Sequence, residues 1–168
     1  MFDIASVNDK YSILYLGDKV KNKFITLLLI GLDDEYMDLN LDSLNESSNH
    51  YKEKLNKKAN KKFESNFSFN NSSHLKFLAN ICKINLTVRD IVKSTNTFSV
   101  DGFKKTIYIV KKGNQHGLVL KNNRKSNYTS LPKSDLQALE KLSLEGGMIR
   151  VTPMPATTTV TPMPATTT

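Results

Sequence analysis

Few side chains in this sequence are of types that do covalent chemistry, and their spacing limits what they can do. Cys82 is the only cysteine. Leu75, Leu78, Ala79 and Cys82 recur at helical spacing, so Cys82 reads as a small buried hydrophobe rather than a reactive thiolate. His50, His74 and His116 are too widely spread for a zinc signature. His116 follows a Gly-Asn-Gln turn between two apolar runs, where a surface hairpin residue is the simplest reading and a general base the alternative. Ser12 sits in Asp9-Lys10-Tyr11-Ser12-Ile13-Leu14-Tyr15, where a hydroxyl most simply serves a turn or a helix start. The acids Asp33, Asp34, Glu35 and Asp38 lack the alternating ligands and central glycine of a calcium loop. Gly17, Gly31, Gly102, Gly113 and Gly117 are isolated, and Gly146–Gly147 follow an expected helix instead of preceding one, so no phosphate loop is present. This set predicts no metal and no cofactor.

The strongest charge pattern is cationic. Lys52, Lys54, Lys57, Lys58, Lys61 and Lys62 crowd one segment and form the anion-binding candidate, with a solubilising face as the plainer reading. The same segment carries Tyr51, Leu55, Ala59 and Phe63 at four-residue spacing, which puts its aromatics on a buried stripe rather than on a stacking platform for bases.

The elements that must position these residues follow from periodicity. Val20, Phe24, Leu27, Leu28 and Gly31 predict a core helix over 19–32, opened by Asp18. The acidic stretch 33–46 reads as a short second helix or irregular turns. A further helix is expected over 48–64, then a polar loop at 65–73 anchored by Phe67 and Phe69, then a helix capped by Ser73 and running to about Lys83. Ile84, Leu86 and Val88 alternate as a half-buried strand, and residues 106–110 with 118–120 form a hairpin. Pro132, Ser134 and Gln137 open a closing helix with Leu136, Leu139 and Leu142 inward. The expected fold class is α+β: helices, then a small antiparallel sheet and a closing helix. It comprises one compact domain over 1–148 and an extended tail over 149–168.

That tail is VTPMPATTT written twice, at 151–159 and 160–168, without charge. Its prolines forbid helix and its Thr and Val favour extended backbone. Val151, Pro153, Met154, Pro155, Val160, Pro162, Met163 and Pro164 are the contact residues of an expected docking arm. The formal charge is +8, carried by 21 Lys but only 3 Arg, alongside 17 Asn. Lys, Asn and Ile are what A/T-rich codons supply, and scarce Arg argues against base-specific readout. Nonspecific phosphate binding stays open. The longest apolar run, about Phe24–Leu32, is too short to span a membrane, and the acidic N-terminus is not a secretory signal. A lone cysteine fits a reducing, intracellular setting. The N-x-S/T triplets at Asn45, Asn66, Asn70, Asn71, Asn85 and Asn127 are those expected by chance in an Asn-rich chain.

Residues 9–15 heading towards a helix, a helix before a strand at 74–88, and the 107–110 strand followed by Gln115-His116-Gly117-Leu118 occur in an order of their own. That order, over about residues 5–122, resembles the ovarian-tumour family of papain-like cysteine peptidases, viral members especially. The resemblance implies Ser12 at the nucleophile position, His116 as base and ubiquitin-like proteins as partners. The chain departs from the family at the chemistry itself. Ser12 stands where the nucleophilic Cys belongs, Lys10 where a Gly does, and Gly117 where an aromatic residue often follows the His. A hydroxyl in a frame built for a thiolate is a weak nucleophile. The resemblance therefore implies an inactive descendant, or a deliberate Cys→Ser exchange.

Three functions follow as expectations. The first is a non-enzymatic structural or interaction protein that docks through its C-terminal arm on other chains of an assembly, such as a minor capsid protein in the virion of a large DNA virus. The second is the peptidase or its inactive descendant. The third is a nonspecific nucleic-acid binder. All are intracellular, without a membrane span.

Overall fold

The computed structural model describes residues 1–122 and the residue pair 152–153. The chain opens on a hairpin of β1, Phe2–Ser6, and β2, Tyr11–Leu16. The Asn8 carboxamide closes its turn by accepting from the Lys10 and Tyr11 amides at 2.9 and 3.0 Å. The first helix, α1, spans Lys23–Leu32 rather than 19–32, and Asp18 does not cap it. The physical reason lies in a neighbour. The Lys21 amide donates to Asn45 Oδ1 at 2.8 Å, and Asn45 Nδ2 donates to the Lys19 carbonyl at 3.1 Å. Asn22, left-handed at φ 51°, donates to Ser48 and Asn49. Backbone groups that a first helical turn would use are already committed to side chains of the next helix.

That helix, α2, runs Leu41–Phe63 after a single 3-10 turn at Asp34–Asp38. It starts earlier than expected because Asn40 caps it, accepting from the Ser43 amide at 2.8 Å. Leu44 and Ser48 extend the buried stripe of Leu55 and Ala59 by two turns, while Tyr51 and Phe63 are half-buried. The third helix, α3, spans Ser72–Cys82 and is capped by Asn71, not Ser73. Four strands follow: β3, Ile84–Asp90; β4, Thr95–Val100; β5, Lys105–Lys112; and β6, Gln115–Lys121. A two-residue strand, β7, is formed by Thr152–Pro153.

The class is α+β, but the order differs from expectation. Two strands precede the helices, and the sheet is mixed, ordered β4-β3-β5-β6-β2-β1-β7. All neighbours are antiparallel except β3 and β5. The parallel pair arises because the link from β4 passes the start of β3 to reach its far side. Asn85 pins that crossing: its carboxamide accepts from Phe103 N at 2.7 Å and donates to Phe103 O at 2.8 Å. The expected closing helix lies outside the described residues.

The three helices share one face of the sheet. Phe24, Leu27, Leu28, Leu44, Leu55 and Leu78 interlock there with Leu14, Leu86, Ile107, Ile109 and Leu118. Gly31 lets α1 lie against β5, since a β-carbon there would meet Ile107 Cδ1 at 2.9 Å. The opposite face carries a second cluster of Tyr11, Ile13, Tyr15, Tyr108, Val110 and Val119, to which none of the three helices contributes.

Candidate functional site

The β5–β6 turn is two residues long, with Gly113 at φ 62°, so His116 becomes the second residue of β6. The period of two points it to the helix face along with Leu118 and Leu120. Phe24, in the first turn of α1, and Phe69, from the loop after α2, stack at 5.0 Å between ring centres and 6° between planes. His116 meets both rings edge-on, at 5.8 and 6.0 Å. The loop that presents Phe69 is itself held. His74 Nδ1 accepts from the Ser68 amide at 2.9 Å, and Asn56 Oδ1 accepts from the Phe67 amide at 3.0 Å.

These groups bound a cleft of about 420 Å³ between α1, α2, the 65–71 loop and the β5–β6 hairpin. Lys23, Lys52 and Lys111 line it with Asn22, Asn56, Asn70 and Asn114, and no carboxylate does. The volume falls in the ordinary range for a small ligand or an anchoring side chain. Burial lowers the His116 pKa, and the charge of Lys111 lowers it further. The imidazole is therefore neutral at pH 7, with an uncharged aromatic corner beside three cations.

Ser12 is elsewhere. It lies within β2 opposite Leu120, four residues along β6 from His116, or about 13 Å at ~3.3 Å per residue. Its hydroxyl donates to Asn122 Oδ1, while Asn122 Nδ2 donates to the carbonyls of Asn8 and Asp9. It helps tie the end of β6 to the β1–β2 turn, in a strand instead of at a helix start. The structure does not bring Ser12 and His116 together. Cys82 is half-buried against Tyr51, with Sγ and the phenol oxygen 3.1 Å apart. Burial pushes the Cys82 thiol pKa up, away from reactivity.

Lys52, Lys54, Lys57, Lys58, Lys61 and Lys62 are all exposed along α2. They do not all face one way: Lys52 lines the cleft, and Lys62 lies over the Phe63 and Phe77 rings. Of the expected arm residues only Pro153 is described, in β7 beside β1. Val151, Met154, Pro155, Val160, Pro162, Met163 and Pro164 lie outside the described residues. No helix among the described residues is long and apolar enough to cross a membrane.

The cleft itself was not apparent from the sequence. The readable signals were Phe67 and Phe69, the two aromatics in the otherwise polar SNFSFNNSS, of which Phe69 is 42% exposed. Lys23 and Lys111 gave none, because they meet only through the fold. Comparisons with models of known families, with curated proteins and with solved structures find no match.

Proposed function

We propose that this is a non-enzymatic interaction protein that works within a larger assembly and docks through its C-terminal Thr/Pro arm. The observation that carries the reading is the pairing of Thr152 and Pro153 with Ile4 and Asp3, which makes the start of the arm an added edge strand. Strand addition gains affinity from main-chain hydrogen bonds and needs no deep pocket. The virion of a large DNA virus is the assembly suggested by the abundance of residues that A/T-rich codons supply together with the viral members of the resembled peptidase family. The arm, VTPMPATTT twice, has little apolar area to bury, so ending the chain at Arg150 should shift the melting temperature by less than about 3 °C. The same truncation is expected to abolish association, read by light scattering and by co-sedimentation with partner chains. A shortened chain that associates as well as the full one would end this reading.

A second reading is favoured by one feature of the cleft: three lysines and no carboxylate around an aromatic corner. An anionic partner, nonspecific nucleic acid included, would find phosphate contacts there.

A further inference from the structure

The two ends of the β1–β2 ladder fix which β1 groups are left for another strand. Gly17 donates to the Met1 carbonyl at 2.8 Å, and Val7 donates to the Tyr11 carbonyl at 3.1 Å. With Phe2 opposite Leu16 and Ser6 opposite Ser12, the odd residues of β1 bond to β2. The even ones, Phe2, Ile4 and Ser6, therefore direct their N–H and C=O outward. Thr152 stands opposite Ile4, at a bonding position. Pro153 stands opposite Asp3, where a residue's own N–H would point away from β1 and none is needed. The phase matters, because a one-residue slip would put proline at the bonding position and lose a ladder bond. Pro155 follows Pro153 by two residues in sequence, so Thr-Pro-Met-Pro carries backbone donors at alternate positions and lacks them at its prolines. That is how a strand closes the edge of a sheet.

The repeat presents the same phased segment again, Thr161-Pro162-Met163-Pro164. We propose that the two repeats are interchangeable ligands for the β1 edge: either can fill it, and the one left over is free to fill β1 of a second copy of this chain. This rests on the docking-arm reading above and names its receptor, the outward N–H and C=O of Ile4. The second repeat starts nine residues after the first and so lengthens the tether to β6, and the slow growth of loop-closure entropy makes this worth less than about twofold in occupancy.

The test is amide hydrogen exchange of Ile4 in the full-length chain, with Ile109 in the central sheet reporting that the body is folded. Thr152→Pro removes the bonding donor of the first repeat. The second should then take over, leaving Ile4 protection within about threefold of the parent. Thr152→Pro with Thr161→Pro empties the edge, and Ile4 protection should fall by at least tenfold while Ile109 is unchanged. Mixing the isotope-labelled double variant with excess unlabelled parent should restore Ile4 protection, whereas unlabelled Thr161→Pro chain should restore far less. Full loss in the single variant would overturn interchangeability. Unchanged protection in the double variant, or no restoration by parent chain at about millimolar concentration, would overturn β1 as the receptor. If truncation at Arg150 abolishes association while Ile4 exchange ignores both substitutions, the arm docks elsewhere, and only this inference falls.

Discussion

At position 117 the backbone of β6 runs beneath the Tyr15 ring and beside Ile13. A β-carbon there would lie 2.5 Å from Ile13 Cγ2 and 2.8 Å from Tyr15 Cε1. Both neighbours are buried, at 0% and 2% exposure, so neither can swing away. Gly117→Ala is therefore expected to destabilise by about 1–3 kcal/mol in denaturant unfolding, as overpacking does. A neutral result would mean that β2 yields more than its packing implies. The glycine that breaks the peptidase pattern next to His116 thus has a steric cause. His116 gives a second expectation. Its folded pKa lies below its ordinary value, so the unfolded chain binds the proton more readily. The associated stability is fully present above about pH 6.5, the ordinary histidine value, and declines as pH falls towards the lowered folded pKa. His116→Gln should flatten the dependence of melting temperature on pH between 7 and 5. An unchanged slope would place the acid sensitivity elsewhere.

Among the elements, those with strong period were legible: α1, α2, α3, β3 and the β5–β6 hairpin all lie where apolar spacing puts them. Their starts were not, because carboxamides chosen by tertiary context decide them. Asn71 caps α3 where Ser73 was the expected cap, and Asn45 and Asn22 hold the 19–22 segment out of α1. A reading that assigns asparagine to codon bias cannot see this. Asn71→Ala should cost about 1 kcal/mol, typical of a lost cap, whereas Ser73→Ala should cost much less. Equal losses in thermal unfolding would contradict the assignment. Strands β1, β2 and β4 escaped notice for different reasons. β1 and β4 lie towards the sheet margins without clean alternation, β4 being mostly exposed Thr, Asn and Ser, whereas β2 is buried almost throughout, so its apolar run has no period to tell strand from the start of a helix. The parallel pairing of β3 with β5 rests on the Asn85 contact with a distant loop, which has no local signature.

On the scale of the molecule, helices cover one side of a mixed sheet and the cationic cleft opens where α1, α2 and the β5–β6 turn meet. The fold class was readable from the sequence. The site was readable only in fragments, His116, Phe69 and Lys52, because three distant segments must close before those residues become neighbours. Net charge of +8 and an acid-free cleft make one measurement decisive for the anionic-partner reading. Affinity for a single-stranded oligonucleotide or other polyanion should fall steeply as salt rises. Lys52→Glu with Lys111→Glu should weaken it by at least tenfold, whereas Lys54→Glu with Lys61→Glu, on exposed α2 positions, should do less. Equal effects would make the attraction a property of overall charge, not of the cleft.

The crossing beside β3 has a chemical consequence. Asn85 works there only as an amide, because one end of the group must give a hydrogen and the other must take one. Slow hydrolysis to aspartate, a familiar fate of asparagine in warm solution, would set a carboxylate against the Phe103 carbonyl oxygen. A sample in which Asn85 has changed should therefore loosen at this seam, and a one-dalton gain in the peptide that carries it would mark the damage.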